Sequence, residues 1–463
     1  MRILSCFLAT ALLTLPVRSE SALEAESRRK LAVERIVAAA MKDDKAYENL
    51  QWLCDRIGHR LAGSKGLEAA VAWGQACMKA EGFDRVRAEK VMVPHWERRF
   101  ERVEMVHPVV KPLAALALGG SISTPAGGLE AEVLCVGRTA DLANLPEDAV
   151  KGKIVLFTGP WTGYGPYSDA RVRGASQAAR KGAVAMLLKA FAPLTLDTPH
   201  TGVLHYDPNG PSIPAAGLSA EAAGQIERLR AAGTKVRVRL DLQSVTHPDA
   251  ESANVVGEIP GSDKPGEFIV VGGHLDSWDV GQGAQDDGVG CVLSLQAAEL
   301  LQRIGLRPRR TIRVVFFTNE ENGSRGGKAY LDAHRDELSS HVAAIESDIG
   351  NGLIQGFSID VGGLKAAGET RQAGALKTIQ ALKPYLEPLG AGKLDKGGSG
   401  VDIGPMVAAG VLGLGARHDL SRYWDIHHTA ADTFDKIDKQ DLRKNLAILA
   451  TLLYLLADLP ERP

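Results

Sequence analysis

A histidine, His274, ends the apolar run Phe268-Ile-Val-Val-Gly-Gly, and a carboxylate, Asp276, stands close behind it. An acidic pair, Asp286-Asp287, sits beside a glycine where a helical pattern begins. Further along come Glu320-Glu321 after Thr311-Ile-Arg-Val-Val-Phe-Phe, Asp348 in Glu346-Ser-Asp, and His427-His428 ahead of Thr429-Ala-Ala-Asp432. Nitrogen and oxygen donors without a cysteine suit zinc of the catalytic kind, in which a position stays open for water. Taken singly, each group has a plainer reading: a Glu-Glu pair as a solvated turn, Asp-Asp-Gly as a helix cap, adjacent histidines as surface. Their placement changes that. His274, Glu320-Glu321 and Asp348 each fall just past the end of a different predicted strand, and open α/β sheets bind ligands outside the carboxyl ends of their strands.

Charge counting favours a pair of metals. If Asp286, Glu321 and Asp348 are ionised ligands and His274 and His428 neutral ones, two Zn²⁺ leave a surplus positive charge that a bridging hydroxide cancels. That surplus would bring the bound water's pKa toward about 7 and stabilise the oxyanion of a tetrahedral intermediate. An aspartate just before a helix start, Asp286, is placed to bridge both ions. The remaining glutamate of the 320/321 pair is left to move the proton from water to the leaving amine, and spacing alone does not say which one it is. Asp276 reads as an acceptor that orients the His274 imidazole. The histidines at 59, 95, 107, 200, 205, 247, 334, 341 and 418 read as structural or surface residues.

These positions need a scaffold. From 246 onward, β-rich runs at Phe268-Ile-Val-Val, Thr311 to Phe317, Val342-Ala-Ala-Ile and Val411-Leu-Gly-Leu alternate with helical patterns near 287–304, 370–387 and 438–459. Such alternation predicts an α/β fold, a mostly parallel mixed sheet covered by helices on both faces. Residues 22 to 82 carry two or three helices, and 84 to 110 alternate as half-buried antiparallel strands. The Gly-rich stretch from Leu118 looks like a linker into a self-contained α/β alternation between about 129 and 243, without a candidate ligand cluster of its own. The expected organisation is a signal at 1–21, a first part of the main domain at 22–118, an insert at 119–245 and the catalytic part at 246–463.

Composition narrows the class of partner. With 54 Lys+Arg against 56 Asp+Glu and no long single-sign block, nothing draws the chain to nucleic acid. Arg2 followed by the apolar run Ile3 to Val17 has the form of a secretory signal, too short for a spanning helix, so export and no membrane span after its removal are expected. Four cysteines then remain, Cys54, Cys77, Cys135 and Cys291, without a repeated spacing, and buried free thiols are the simpler reading.

In order along the chain, His274-Leu-Asp276-Ser, Gly283-Ala-Gln-Asp286-Asp287-Gly, Thr318-Asn-Glu320-Glu321, Glu346-Ser-Asp348, Gly400-Val-Asp402 and His428-Thr-Ala-Ala-Asp432-Thr resemble the motifs of the co-catalytic zinc exopeptidases related to bacterial leucyl aminopeptidases. The longer string Gly273-His-Leu-Asp-Ser-Trp-Asp-Val-Gly-Gln-Gly-Ala, with Val93-Pro-His-Trp and Pro199-His-Thr-Gly, is similar to a carboxypeptidase branch of that family. The resemblance implies a phosphorylase/hydrolase-like peptidase fold, with a protease-associated domain at the insert, and a homodimer. It implies two zinc ions per subunit, the first on His274, Asp286 and Asp348 and the second on Asp286, Glu321 and His428, with Glu320 as the base. Many members have a tyrosine just before the last histidine ligand, where this chain has His427, so the oxyanion donor stays open between His427 and nearby Tyr423.

The expected function is therefore an exported metallo-exopeptidase of aminopeptidase, carboxypeptidase or dipeptidase type. It would hydrolyse dipeptides or short peptides through a metal-bridging hydroxide. Manganese or cobalt could replace zinc on the same donors. Two rivals stand beside it: a glutaminyl cyclotransferase-like acyltransferase with a single zinc, which the full ligand set argues against, and a non-catalytic receptor or binding module, which would normally have lost a ligand or the base.

Overall fold

The computed structural model describes residues 22–191 and 196–463, so the segment read as a signal lies outside the described residues. Its centre is four parallel strands in the spatial order Leu412–His418, His341–Glu346, Lys264–His274 and Arg310–Phe317. Antiparallel strands flank them, Ile354–Asp360 on one side and Arg237–Ile259 on the other. Because successive strand residues point to opposite faces, neighbours divide between two cores. Ile269, Val271, Val314 and Phe316 join the larger one, while Val270, Val315 and Phe317 join the smaller. The near-continuous apolar runs in the sequence are the signature of this burial on both sides.

Helices cover both faces, as expected. Val289–Arg303 and Lys439–Ala457, buried along most of their length, pack together on the larger core, with Ala22–Ala40 and Lys45–Arg56 outside them. The Asp438 carboxylate caps the second of these, accepting the Gln440 and Asp441 backbone N–H groups. Tyr330 of Arg325–Ala333 and Met406 and Val407 of Gly404–Ala408 fill the opposite face. No helix among the described residues is long and apolar enough to cross a membrane. All four described cysteines are free thiols, Cys54 and Cys291 buried, Cys77 and Cys135 half-buried.

Residues 84 to 107 differ from the expected set of strands. They form one long strand, Asp84–His107, paired antiparallel with Arg237–Ile259 along nearly its whole length, with register shifts at Val93/His95 and Arg98/Phe100 that bend the ribbon. Arg237–Ile259 runs unbroken through position 245, where a change of unit was expected, because its partner supplies hydrogen bonds on both sides of that point. Between the two arms, Leu129–Val136, Ile154–Phe157, Ala185–Lys189 and Ala215–Leu218 lie parallel, with Ala115–Ala117 antiparallel at the edge. They have apolar clusters of their own on both faces, one of them against the helix Tyr164–Arg180. Ala215–Leu218, Ile354–Asp360 and Lys393–Lys396 were not foreseen; the first is built of small residues and the last is mostly exposed, so neither carries a β-rich apolar run.

Candidate active site

His274 is the last residue of its strand and only 1% exposed. Its Nδ1 lies 2.9 Å from the backbone carbonyl of Asp276, which accepts the ring proton and leaves Nε2 free to face the acids. Nε2 is 3.1 Å from Asp348 Oδ1 and 3.2 Å from Asp286 Oδ1. The other oxygen of Asp286, Oδ2, is 3.3 Å from His428 Nε2, and that nitrogen is 3.0 Å from Glu321 Oε2. Asp286 thus turns one oxygen toward each histidine.

A frame of backbone hydrogen bonds holds these side chains. The Asp276 carboxylate accepts the N–H groups of Glu320 at 3.0 Å and Glu321 at 3.2 Å, so it orients the glutamate turn, while its main chain orients His274. Asp432 accepts from Ala284, Gln285 and Asp286, fixing the turn that presents Asp286. Asp287 accepts from His274 N at 3.1 Å and from Gly290 N at 3.0 Å, tying the strand end to the following helix. A Cβ on Gly273 would stand 2.1 Å from Asp287 Oδ2, so only glycine lets these elements approach. Arg60 is fully buried and donates to the carbonyls of Gly58, Leu275, Gln282 and Gly283, clamping the loop between His274 and Asp286. Neither Arg60 nor Asp432 was assigned a role from sequence. A lone arginine in an irregular loop carries no periodic signal, and Asp432 was visible only as a motif position.

The electrostatics are those of an acid-rich cavity. Burial drives Glu320 well above the usual carboxylate range, His274 opposes the rise, and Asp348, Glu321 and Asp286 add to it. Glu321 is pushed up to about 7, by burial first. Burial alone would lower His274 and His428, yet the carboxylates against them win and hold both well above the usual histidine value. Asp286 Oδ2 and Glu321 Oε1 are buried and have no hydrogen-bond donor. Donor atoms of His274, Asp286 and Glu321, of Asp286, His427 and His428, and of His274, Asp287 and Asp348 lie within 4.8 Å of one another. Asp287 is the least available, since each of its oxygens already accepts a backbone N–H. This donor set fits divalent cations bridged by Asp286.

His427 stacks on His428 with ring centroids 3.5 Å apart, and its Nε2 is 3.7 Å from Asp286 Oδ2. Tyr423 is buried beside it, centroids 5.2 Å apart; burial, then the charges of Asp286, Asp348 and Glu321, push its phenol well above the ordinary value. Residues between the two ribbon arms also reach the cluster. Thr201 N donates to the His428 carbonyl at 3.0 Å, and the rings of Tyr164 and Phe191 lie 5.5 Å and 6.1 Å from His427. His200, set aside as structural from sequence, is fully buried against Phe191, ring centroids 4.5 Å apart, on this same side.

Strand-end carboxylates and histidines on such an α/β sheet fit a metalloenzyme, and similarity to known proteins makes it a metallopeptidase. Residues 254–453 match Peptidase family M28. The chain is 38% identical to carboxypeptidase Q of Mus musculus, across 93% of this chain and 89% of that one. A crystal structure of a peptidase M28 precursor from Shewanella amazonensis superposes with a TM-score of 0.89 at 34% identity, covering 94% of this chain and 98% of the other. A zinc aminopeptidase from Bacillus subtilis shares the fold at a TM-score of 0.66 and 21% identity, over 91% and 98% of the chains. The chain belongs to peptidase family M28, and carboxypeptidase Q is among its relatives.

Proposed function

We propose that this metallopeptidase is an exported di-zinc exopeptidase that hydrolyses dipeptides or other short peptides. The observation that carries the reading is Asp286, whose two oxygens face His274 and His428 separately, as a carboxylate shared by two cations must. His274, Asp286 and Asp348 would hold one ion, and Asp286, Glu321 and His428 the other. Zinc bound there would acidify a water and polarise the scissile carbonyl. Glu320, which the charge of bound cations would return to its ionised form, would take the proton from that water and pass it to the departing amine. His427 or Tyr423 would donate to the developing oxyanion. The unit between the ribbon arms, taken as a protease-associated domain over 119–245, would cover the substrate. Export is supported by the basic start and apolar run ending at Val17.

The test is zinc content by mass spectrometry alongside amino-acid release from free, amino-blocked and carboxyl-blocked dipeptides. Glu320→Gln should keep its zinc while losing roughly 10² to 10⁴ in kcat, the usual share of a general base. A single zinc per chain in an active protein would favour the cyclotransferase-like reading instead. His427→Ala and Tyr423→Phe both leaving turnover unchanged would remove them as oxyanion donors.

A further inference from the structure

Between the ribbon arms, one cation remains that the hydrolytic chemistry does not use. Arg171, on the helix Tyr164–Arg180, is only 5% exposed, and its Nη1 lies 3.4 Å from His428 Nδ1. Among the described residues, no carboxylate lies within ion-pair distance of it. Its guanidinium lies 5.5 Å from the centroid of the Tyr164 ring, which offsets only part of the desolvation of a group charged at every physiological pH. Its Nε has no hydrogen-bond partner, and neither ring nitrogen of the fully buried His200 has one. The chain keeps space for the group: a Cβ on Gly202 would stand 2.5 Å from Nη1.

His428 cannot serve as the missing partner. With Nε2 turned toward Asp286 and Glu321, Nδ1 carries a proton whether Nε2 holds a proton or a cation, so Nδ1 and Arg171 Nη1 meet as two donors. An acceptor oxygen is required, and the fixed positive charge asks for an anionic one. In a dipeptide held at its scissile carbonyl, the terminal carboxylate is a single residue away and has no other use in the reaction. The nearby acids Asp286 and Glu321 would repel that carboxylate, but they are the groups whose charge bound cations neutralise.

We propose that Arg171, supplied by the inserted unit, binds the free carboxylate of the substrate, so that the enzyme reads the carboxyl terminus. The proposal rests on the peptidase reading above for its substrate. The experiment is calorimetric titration of zinc-loaded Glu320→Gln protein with leucyl-alanine and leucyl-alaninamide, together with turnover of both by the unmutated and Arg171→Gln enzymes. The free dipeptide should bind about 10²-fold more tightly than the amide, as for a buried charge pair missing one partner, and Arg171→Gln should abolish that difference with zinc content unchanged. Arg171→Lys, which keeps the charge but not the fork, should retain part of it. Equal binding of dipeptide and amide would overturn the proposal. So would an Arg171→Gln protein that weakens both ligands alike or loses zinc, since Arg171 would then only support His428. If neither compound is cleaved by the unmutated enzyme but carboxylate-dependent binding persists, the subsite stands and the peptidase reading falls.

Discussion

Burial and mutual charge in the cluster around Asp286 favour the protonated forms of Glu321, Asp348, His274 and His428. Burial above all pushes Glu321 and Asp432 up to about 7 and Glu346 to about 8, while carboxylates keep His274 and His428 high against the effect of burial. Raised values in the folded state mean that stability is greatest where these groups are protonated in the fold. It is lost as pH rises from the unfolded carboxylate range, near 4, through about 7 to 8. Divalent cations would take the place of those protons. The melting temperature of chelator-treated protein should therefore fall between about pH 5 and about pH 8, while that of zinc-loaded protein falls less or rises. Parallel pH profiles with and without zinc would contradict this. The residues at this scale were legible where their type is chemically distinctive and a strand end fixes their place, as with His274 and Glu320-Glu321. Arg171 and His200 were not, because their meaning lies in the absence of a partner, which depends on what surrounds them in space.

At the scale of elements, the parallel core was legible because strands buried on both faces need near-continuous runs such as Thr311 to Phe317. Short edge strands such as Lys393–Lys396 have one exposed side and no such run. The irregular loop from His274 to Asp286 is the more delicate element. It has no ladder to hold it, and Arg60 stands in for one by donating to four carbonyls, including those of Leu275, Gln282 and Gly283. A buried carbonyl left without a donor costs about 1–3 kcal/mol. Arg60→Met should therefore destabilise the protein by roughly 3–5 kcal/mol, allowing for partial relaxation and water entry, and should weaken metal retention because His274 and Asp286 flank the loop. Arg60→Lys should recover less than half of the loss, since an ammonium cannot span carbonyls that a planar fork reaches together. Urea midpoints for the two variants beside the parent would measure this, and a midpoint for Arg60→Met within error of the parent would show that the clamp is dispensable.

At the scale of the whole molecule, the long ribbon of Asp84–His107 and Arg237–Ile259 leads into residues that reach the candidate site, Thr201 at His428 and Tyr164 at His427. Its seat on the catalytic part is specific. Arg98, on the first arm, donates to both oxygens of Asp279, at 2.7 Å and 3.0 Å, to the Ala117 carbonyl and to Thr201 Oγ1. Thr201 N in turn holds the His428 carbonyl. His428 has a φ of 59°, a conformation that a non-glycine residue keeps only when its surroundings enforce it. The residues between the ribbon arms thereby help to fix His428, a candidate ligand, through the Thr201 N–H. Breaking this seat should act at a distance. Arg98→Gln leaves the half-buried Asp279 without its cation, a change that should cost less than the roughly 3–5 kcal/mol of a dry pair. Because Arg98 also touches Thr201, the loss should appear as faster amide exchange at 199–203 and at 424–429 as well as lower stability. Zinc should dissociate more readily from the variant, while Glu320 and the strand-end residues keep their hydrogen bonds. Exchange that rises only along the ribbon, with 424–429 as protected as before, would mean that the insert rests on the catalytic part without shaping it.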